Sequence, residues 1–309
     1  MTWLWSPPGF QYERVNNSLS FFWSALWLRF PRSCRATLYR LIIYLFSERV
    51  SSSNAYRFFG ICYFKICDLP DEALVVEHVR TRTIIPVTKV FDLVWLPQGR
   101  WKPHKWLMVS SVLPGRPLSS ASVDASPGPE QIDALCETLA SWVDQLRALE
   151  SPYHGRVCGF QRQCFRWPGW ATDATNSKKL APPFESVEAL HEHSFLTFPV
   201  PELELEANQS LRADRERRAG TSYRVCLTHG DLVASNILVD EEMRLTGLVD
   251  WEHAGWLPEY WDAVSSSCAD FGDGWKVITK RVFRGGRAYE AEVEWAGELH
   301  RYHANGPSP

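Results

Sequence analysis

A polar loop followed by two short apolar runs constrains the fold of this chain more than any other feature, in the stretch LTHGDLVASNILVDEEMRLTGLVDWE. The apolar runs at residues 237–239 and 245–249 are predicted to form neighbouring strands of a hairpin. Asp231 and Asn236 precede the first strand, and Asp250 follows the second. Neighbouring strand ends meet at one edge of a sheet, so we expect the three polar side chains to lie together.

Phosphoryl transfer from a nucleotide requires this combination of groups. A carboxylate orients and deprotonates the acceptor hydroxyl, and oxygen ligands hold the magnesium ion that bridges the phosphates. Asp231 fits the first role, whereas Asn236 and Asp250 fit the second because magnesium prefers hard oxygen donors. The spacing of Asp231 and Asn236 is that of the protein-kinase catalytic loop. The segment therefore predicts a kinase-type centre that uses ATP and Mg²⁺.

The stretch HGDLVASNILVD, followed by TGLVDWEHAGWLPEYW, resembles the signature of the aminoglycoside phosphotransferase and choline kinase family, particularly its fungal relatives. The resemblance implies that Asp231 is the catalytic base and that Asn236 and Asp250 bind the metal. It also implies that His229 supports the loop through hydrogen bonds. In that family a glycine, here Gly230, stands where protein kinases carry arginine. The expected product is therefore a small molecule phosphorylated on a hydroxyl group, rather than a protein.

Each part of this signature has a simpler explanation when it is taken alone. A His-Gly-Asp tripeptide is often a turn, and an aspartate at a strand end is often a helix cap. The coincidence of all parts favours the kinase. The alternative is a non-catalytic kinase-like protein that binds a nucleotide or a partner, because no glycine-rich loop precedes Lys65 and Gly60 stands alone there. A protein kinase is disfavoured because no Ala-Pro-Glu pattern follows Asp250.

A second group of residues is predicted to bind the nucleotide. Lys65 ends a β-prone run, like the kinase lysine that contacts the α- and β-phosphates. The stretch that begins at Glu72 resembles the family's helix and the segment after it, which implies an ion pair between Lys65 and Glu72. Glu77 lies on the same predicted helix and remains the alternative partner. The run WLMVSSVLPGRPL resembles the family's hinge, so backbone groups near Ser110 and Val112 are expected to hold adenine.

The resemblance implies an α+β, bilobal protein-kinase-like fold, with a small antiparallel-sheet N-lobe and a larger, mostly helical C-lobe. We assign residues 1–50 to an N-terminal helical extension and residues 51–112 to the nucleotide-binding small lobe. Residues 113–309 form the large lobe, with the catalytic loop and the substrate-binding region.

Local patterns add a set of expected elements. The longest is an amphipathic helix at residues 131–149, whose apolar residues recur at helical spacing. A Ser-, Pro- and Gly-rich stretch before it predicts a surface loop. The remaining expectations are β-prone runs at 55–66, 87–94 and 106–113, helices at 71–80 and 186–193, the loop at 118–130, and two helices between 260 and 303 that separate near Gly285 and Gly286.

Composition limits the classes of partner. The formal net charge of −3 is small for 309 residues, so no global field favours nucleic acid, and we expect none as a partner. The 8 cysteines are scattered without zinc-type spacing and are expected to be reduced and mostly buried. The sequence leaves the oligomeric state open.

The N-terminal region is strongly apolar, at residues 19–30 and 38–46. Neither run approaches the roughly 20 apolar residues that a transmembrane helix needs, and several arginines separate them. An interfacial helix with Trp23 and Trp27 at a bilayer surface is the alternative, but helices packed on a domain give the same pattern more often. We therefore predict a cytoplasmic protein without membrane contact.

The acceptor is not defined by composition. An aminoglycoside, choline, ethanolamine, a sugar or another hydroxylated metabolite fits equally well. A cationic acceptor requires clustered carboxylates or aromatic faces, for which the sequence offers Glu259, Asp262, Asp270 and Asp273 as candidates.

Overall fold

The computed structural model describes residues 26–50, 54–96, 105–120, 128–166, 180–197, 221–269 and 271–305. These residues divide into two compact units. The first contains the residues up to Ala73 together with Lys89–Val112, and the second contains Leu74–Thr88 together with the residues from Leu113 onward.

The first unit is built on a five-stranded antiparallel sheet. Its strands are Glu48–Arg49 (β1), Ala55–Phe58 (β2), Cys62–Cys67 (β3), Val90–Leu96 (β4) and Lys105–Ser111 (β5). They lie in the order β1-β2-β3-β5-β4. The predicted run at 55–66 is not one strand, because a turn interrupts it. Phe59 and Gly60 both have positive φ there, at 43° and 70°, and the backbone reverses between β2 and β3.

One face of this sheet is covered by helix α1, Arg32–Phe46. Tyr39 of the helix is fully buried against Phe64 of β3, with 5.6 Å between the ring centroids. Because side chains alternate along a strand, Lys65 lies on the other face from Phe64. Arg35 forms a buried ion pair with Asp92 of β4, which also accepts the Tyr39 hydroxyl at 2.7 Å. The helix is thus attached to the sheet by apolar and polar contacts.

Helix α2, Asp71–Arg82, begins with the carboxylates Asp71 and Glu72 and ends with Arg80 and Arg82. These charges suit the positive N-terminal and negative C-terminal ends of the helix dipole. The division between the two units falls within this helix, after Ala73.

The second unit contains most of the helices. The predicted amphipathic helix is present as α3, Pro129–Arg147, and proline is tolerated at its first turn because no N–H partner is needed there. Leu118 to Ser120, predicted as part of a loop, are helical, and 121–127 lie outside the described residues. The other helices are α4 Val187–Thr197, α5 Trp261–Cys268, α6 Gly272–Val282 and α7 Glu290–Asn305.

The prediction of two C-terminal helices was wrong, since the described chain forms three after Tyr260. The first predicted helix is broken where Ala269 is extended and Gly272 has a φ of 79°, a value that favours glycine. The predicted separation at Gly285 is present as a short 3-10 helix, Gly285–Arg287.

Small antiparallel sheets complete the second unit. Their strands are Arg116–Pro117 (β6), Cys158–Gly159 (β7), Phe165–Arg166 (β8), Leu180–Ala181 (β9), Val225–Thr228 (β10), Ile237–Val239 (β11), Leu245–Leu248 (β12) and Gly255–Pro258 (β13). One sheet has the order β10-β13-β7, a second has the order β12-β11-β6, and a third pairs β8 with β9.

All eight cysteines are free, and five of them are buried, as expected from their scattered positions. Among the described helices, none combines the length and apolarity that a bilayer span requires. Of the two tryptophans in the alternative interfacial helix, Trp27 lies in a 3-10 helix, Trp27–Arg29, and Trp23 lies outside the described residues.

Candidate active site

The predicted hairpin is present, and it brings the ends of its two strands together. Ile237 of β11 pairs with Leu248 of β12, and Leu238 pairs with Gly247. The pairing continues one step beyond the strands, because the Val249 N–H donates to the Asn236 carbonyl at 2.9 Å. Asn236 is therefore fixed next to the residue that precedes Asp250.

Asp231 and Asn236 are in direct contact. The Asn236 side-chain amide donates from Nδ2 to the Asp231 carbonyl at 2.9 Å and to its carboxylate Oδ2 at 3.0 Å. Asn236 is buried, whereas the side chain of Asp231 is 38% exposed. The carboxylate is thus held by a neighbouring amide and remains accessible to a molecule from solvent.

His229 links this loop to the end of β12. Its ring is fully buried against Trp251, with 4.6 Å between centroids. Nε2 lies 3.0 Å from the Val249 carbonyl, and Nδ1 accepts the backbone N–H of Asp231 at 3.3 Å. These two contacts define a ring with its proton on Nε2. They agree with the supporting role that the resemblance implies for His229.

Asp262, on helix α5, holds the loop by accepting hydrogen bonds from its backbone. Its Oδ1 accepts the Gly230 N–H at 2.9 Å, and its Oδ2 accepts the His229 N–H at 3.2 Å. Burial raises the pKa of this carboxyl, while nearby His229, these N–H groups and Arg147 act in the opposite direction. A buried carboxylate with both oxygens used in this way is a structural anchor.

The backbone turns sharply after the hairpin. Asp250 has a φ of 65°, in the left-handed region that residues other than glycine rarely adopt. The 3-10 helix Trp251–His253 follows it. The Trp251 indole N–H donates to the Leu248 carbonyl at 3.1 Å. Asp250 thus leaves the strand at an unusual backbone angle that the packing of the following tryptophan stabilises.

In the first unit, the predicted ion pair between Lys65 and Glu72 is present. Lys65 Nζ lies 2.7 Å from Glu72 Oε1, and the two side chains are 13% and 4% exposed. Cys67 Sγ also donates to Glu72 Oε2 at 3.4 Å. The alternative partner, Glu77, instead accepts from Arg80 one helical turn along α2 at 2.9 Å. Glu72 is therefore the residue that pairs with the sheet lysine.

The two predicted hinge residues differ in their surroundings. Ser110 is buried within β5, in register with Tyr63 on one side and Val90 on the other. Val112 follows the end of β5 and is partly exposed. Of the two, Val112 is the one whose backbone lies outside the strand ladder.

The acidic residues considered for a cationic acceptor have other partners. Glu259 forms an ion pair with Arg224 at 3.1 Å, and Asp262 anchors the loop. Asp273 is 98% exposed and lies 3.2 Å from Lys276. Asp270 lies outside the described residues. These described carboxylates do not form a cluster suited to a cation.

Sequence reasoning did not predict the contacts that two residues make with the loop. Asp262 was considered only for substrate binding, and His253 was not considered, although it lies 3.9 Å from Asp231 between Nδ1 and Oδ2. His253 lies three residues after Asp250, the predicted metal ligand, and this spacing is the signal that the sequence gives for it.

Comparison with solved structures defines the class of fold. The streptomycin–ATP ternary complex of APH(2")-IIa has a TM-score of 0.54 and 13% identity, over 88% of this chain and 92% of that chain. The GDP and kanamycin complex of APH(2")-IIia has a TM-score of 0.53 and 14% identity, over 85% and 86%. A thermostable mutant of APH(4)-Ia with ADP and hygromycin B has a TM-score of 0.52 and 12% identity, over 87% and 99%. The chain has the kinase-like α+β fold of aminoglycoside phosphotransferases.

The family follows from sequence comparison. The model of the phosphotransferase enzyme family matches residues 68–298, which is most of the chain. This chain therefore belongs to the phosphotransferase enzyme family. Comparison with curated proteins gives no match.

Proposed function

We propose that this chain transfers a phosphoryl group from ATP, with Mg²⁺, to a hydroxyl group of a small molecule. The observation that carries the proposal is the contact between Asp231 and Asn236 at the end of the hairpin, 3.0 Å from carboxylate to amide. Membership of the phosphotransferase enzyme family supports the same reaction.

Asp231 is the proposed general base. Its Oδ2 accepts the Asn236 amide, and within the described residues its Oδ1 accepts no hydrogen bond, so Oδ1 remains for the hydroxyl of the acceptor. A carboxylate within hydrogen-bond reach of that hydroxyl orients the oxygen and takes its proton as the bond to phosphorus forms. The partial exposure of Asp231 leaves room for the acceptor.

The residues after the base fit a magnesium ion. Because Asn236 Nδ2 donates to Asp231, Asn236 Oδ1 is directed away from that residue. Within the described residues, the only hydrogen bond that Asn236 Oδ1 accepts comes from Ser235 Oγ at 3.4 Å. Asn236 Oδ1 and the Asp250 carboxylate are hard oxygen donors of the kind that Mg²⁺ prefers. We propose that these two side chains would hold the ion, which would supply positive charge to offset the negative charge of the nucleotide phosphates.

The nucleotide is the proposed partner of the first unit. We propose that Lys65, which pairs with Glu72, binds the α- and β-phosphates and that the backbone near Ser110 and Val112 binds adenine. The buried carboxylate of Glu72 lies 2.7 Å from the lysine ammonium and orients it. The solved structures with this fold contain ATP, ADP or GDP, which supports a nucleotide here and makes GTP a necessary comparison.

The acceptor is proposed to be a small hydroxylated molecule. The aminoglycosides in those solved structures carry several hydroxyl groups, and they give the first panel to test. Choline, ethanolamine, sugars and other hydroxylated metabolites complete it, because the described carboxylates do not select a cation.

The test is phosphate transfer from γ-labelled ATP or GTP to that panel, with and without Mg²⁺, and with product identification by mass spectrometry. Asp231→Asn is expected to lower kcat by about 10² to 10⁴, the typical contribution of a general base. Asp273→Asn is the matched control, since this aspartate is 98% exposed. Transfer that persists in Asp231→Asn would remove the proposed base.

A non-catalytic, nucleotide-binding protein is the second candidate. The observation in its favour is that Gly60, which stands alone before Lys65, belongs to the β2–β3 turn with a φ of 70°. Nucleotide binding by calorimetry, together with no transfer to any acceptor and no ATP hydrolysis, is the result expected of that protein. Magnesium-dependent transfer excludes it.

A further inference from the structure

His253 presents a buried nitrogen without a hydrogen-bond partner close to Asp231. Its Nδ1 is inaccessible to solvent and makes no hydrogen bond with the described residues. The same atom lies 3.9 Å from Asp231 Oδ2, the oxygen that also accepts the Asn236 amide. An unpartnered buried polar atom costs about 1–3 kcal/mol, so its position beside the proposed base needs an explanation.

The backbone fixes this proximity. A Cβ added to Gly230 would lie 2.1 Å from the His253 carbonyl oxygen, and Gly230 has a φ of 82°. The loop that carries Asp231 and the 3-10 helix that ends at His253 are therefore in direct backbone contact. This main-chain contact brings the residues that carry the imidazole and the carboxylate close together.

The surroundings of His253 favour the neutral imidazole. Burial lowers the pKa of His253, although the carboxylates of Asp231, Glu252 and Asp250 act in the opposite direction. A neutral imidazole carries one proton, on either Nδ1 or Nε2. A lone pair on Nδ1 would face the negative oxygen of Asp231, whereas an N–H at Nδ1 would be attracted to it.

We propose that His253 is a positioning residue for Asp231, with its Nδ1–H directed at Oδ2. With Asn236 on the same oxygen, the imidazole holds the carboxylate so that Oδ1 faces the acceptor hydroxyl. This inference rests on the proposed function of Asp231 as the base. The separation of 3.9 Å exceeds a hydrogen bond by roughly 1 Å. Catalytic hydrogen bonds are often long in the free enzyme and shorten when the substrate binds.

Three substitutions separate positioning from packing. In His253→Asn the amide nitrogen is attached to Cγ, as Nδ1 is, whereas in His253→Gln it corresponds to Nε2. His253→Leu keeps the volume and removes both nitrogens. We expect His253→Leu and His253→Gln to lower kcat about tenfold or more with little change in the KM for ATP, and His253→Asn to recover most of that loss. Equal losses in the Asn and Leu variants, or a loss confined to KM, would overturn the proposal.

The tautomer of His253 gives a test that does not require activity. In the ¹⁵N-labelled protein at pH 7, the signal of His253 is assigned among the 9 histidines by its absence from the His253→Gln spectrum. We expect a proton on Nδ1 and a shift of its resonance in Asp231→Ala. A proton on Nε2 with Nδ1 bare would overturn the proposal. Failure of the proposed function appears separately, as a wild-type protein that transfers no phosphate although His253 carries its proton on Nδ1.

Discussion

The buried carboxylate of Asp262 accepts the backbone N–H of Gly230 at 2.9 Å, although the two residues are 32 positions apart in the sequence. Its second oxygen accepts the N–H of His229. The proposed catalytic loop is thus held through its main chain by a helix residue that takes no part in the proposed chemistry.

Substitution of Asp262 by asparagine is expected to destabilise the protein by about 1–3 kcal/mol. Asparagine keeps one oxygen, so its NH₂ group faces one of the two backbone N–H donors, and that donor then lacks an acceptor. Activity should fall with the loss of loop order. Urea denaturation measures the first effect. Asp273→Asn, on an exposed side chain of the neighbouring helix α6, is the control and should change the unfolding free energy by less than about 0.5 kcal/mol. Equal midpoints for the two variants would show that Asp262 is not an anchor.

Gly230→Ala is expected to be severely destabilising. The added methyl group would overlap the His253 carbonyl, and alanine disfavours a φ of 82°. The same substitution at Gly274 meets no atom within 4 Å and lies in helix α6. There it should raise stability by about 0.5–1 kcal/mol. Thermal melts of the pair compare the two sites directly, and similar melting temperatures would contradict the contact.

Glu72→Gln is expected to raise the KM for ATP about tenfold, equivalent to about 1.4 kcal/mol of binding free energy. The reason is that Lys65 loses the anionic partner that orients its ammonium group. Glu77→Gln is a matched control on the same helix, because Glu77 pairs with Arg80. Steady-state kinetics with varied ATP make the measurement. If Glu77→Gln has the larger effect, the assignment of the partner is wrong.

Stability is expected to fall between about pH 6.5 and 4 through His78. Burial against Phe160 and Trp256, with Arg82 nearby, lowers the pKa of His78 from 6.5 to about 4. The unfolded chain therefore binds a proton in this range that the folded chain does not, so the contribution present above pH 6.5 is lost on acidification. We expect about 1 kcal/mol, below the full value because the ring is only partly buried.

His78→Gln should flatten this part of the stability profile, measured by urea denaturation at several pH values. The same substitution at the exposed His154 serves as the comparison. An unchanged slope in His78→Gln would assign the acid sensitivity to other groups.

The parts of this protein that depend on local sequence were predictable. Helix α3 follows from apolar residues at helical spacing, and the hairpin follows from two apolar runs with polar residues at their ends. The pair of Lys65 and Glu72 followed from a resemblance to a known helix, and the structure distinguishes Glu72 from Glu77. These features need only neighbours in sequence or a strong motif.

The parts that depend on distant contacts were not predictable. Asp262 was a candidate for binding a cationic acceptor, because the sequence does not show that two backbone N–H groups of the loop donate to it. His253 acquires its relation to Asp231 only through the backbone contact with Gly230. The break between helices α5 and α6 depends on a backbone angle at Gly272 that hydrophobic periodicity does not record.

The anchoring of the loop through its main chain has a practical consequence for finding the acceptor. Asp262 and His229 hold the loop through its backbone N–H groups, and these contacts do not involve the Asp231 carboxylate. A protein that lacks the base should therefore keep the geometry of this loop and lose turnover. Immobilised Asp231→Asn, loaded with nucleotide, is a trap that retains an acceptor from a metabolite extract instead of releasing it as product.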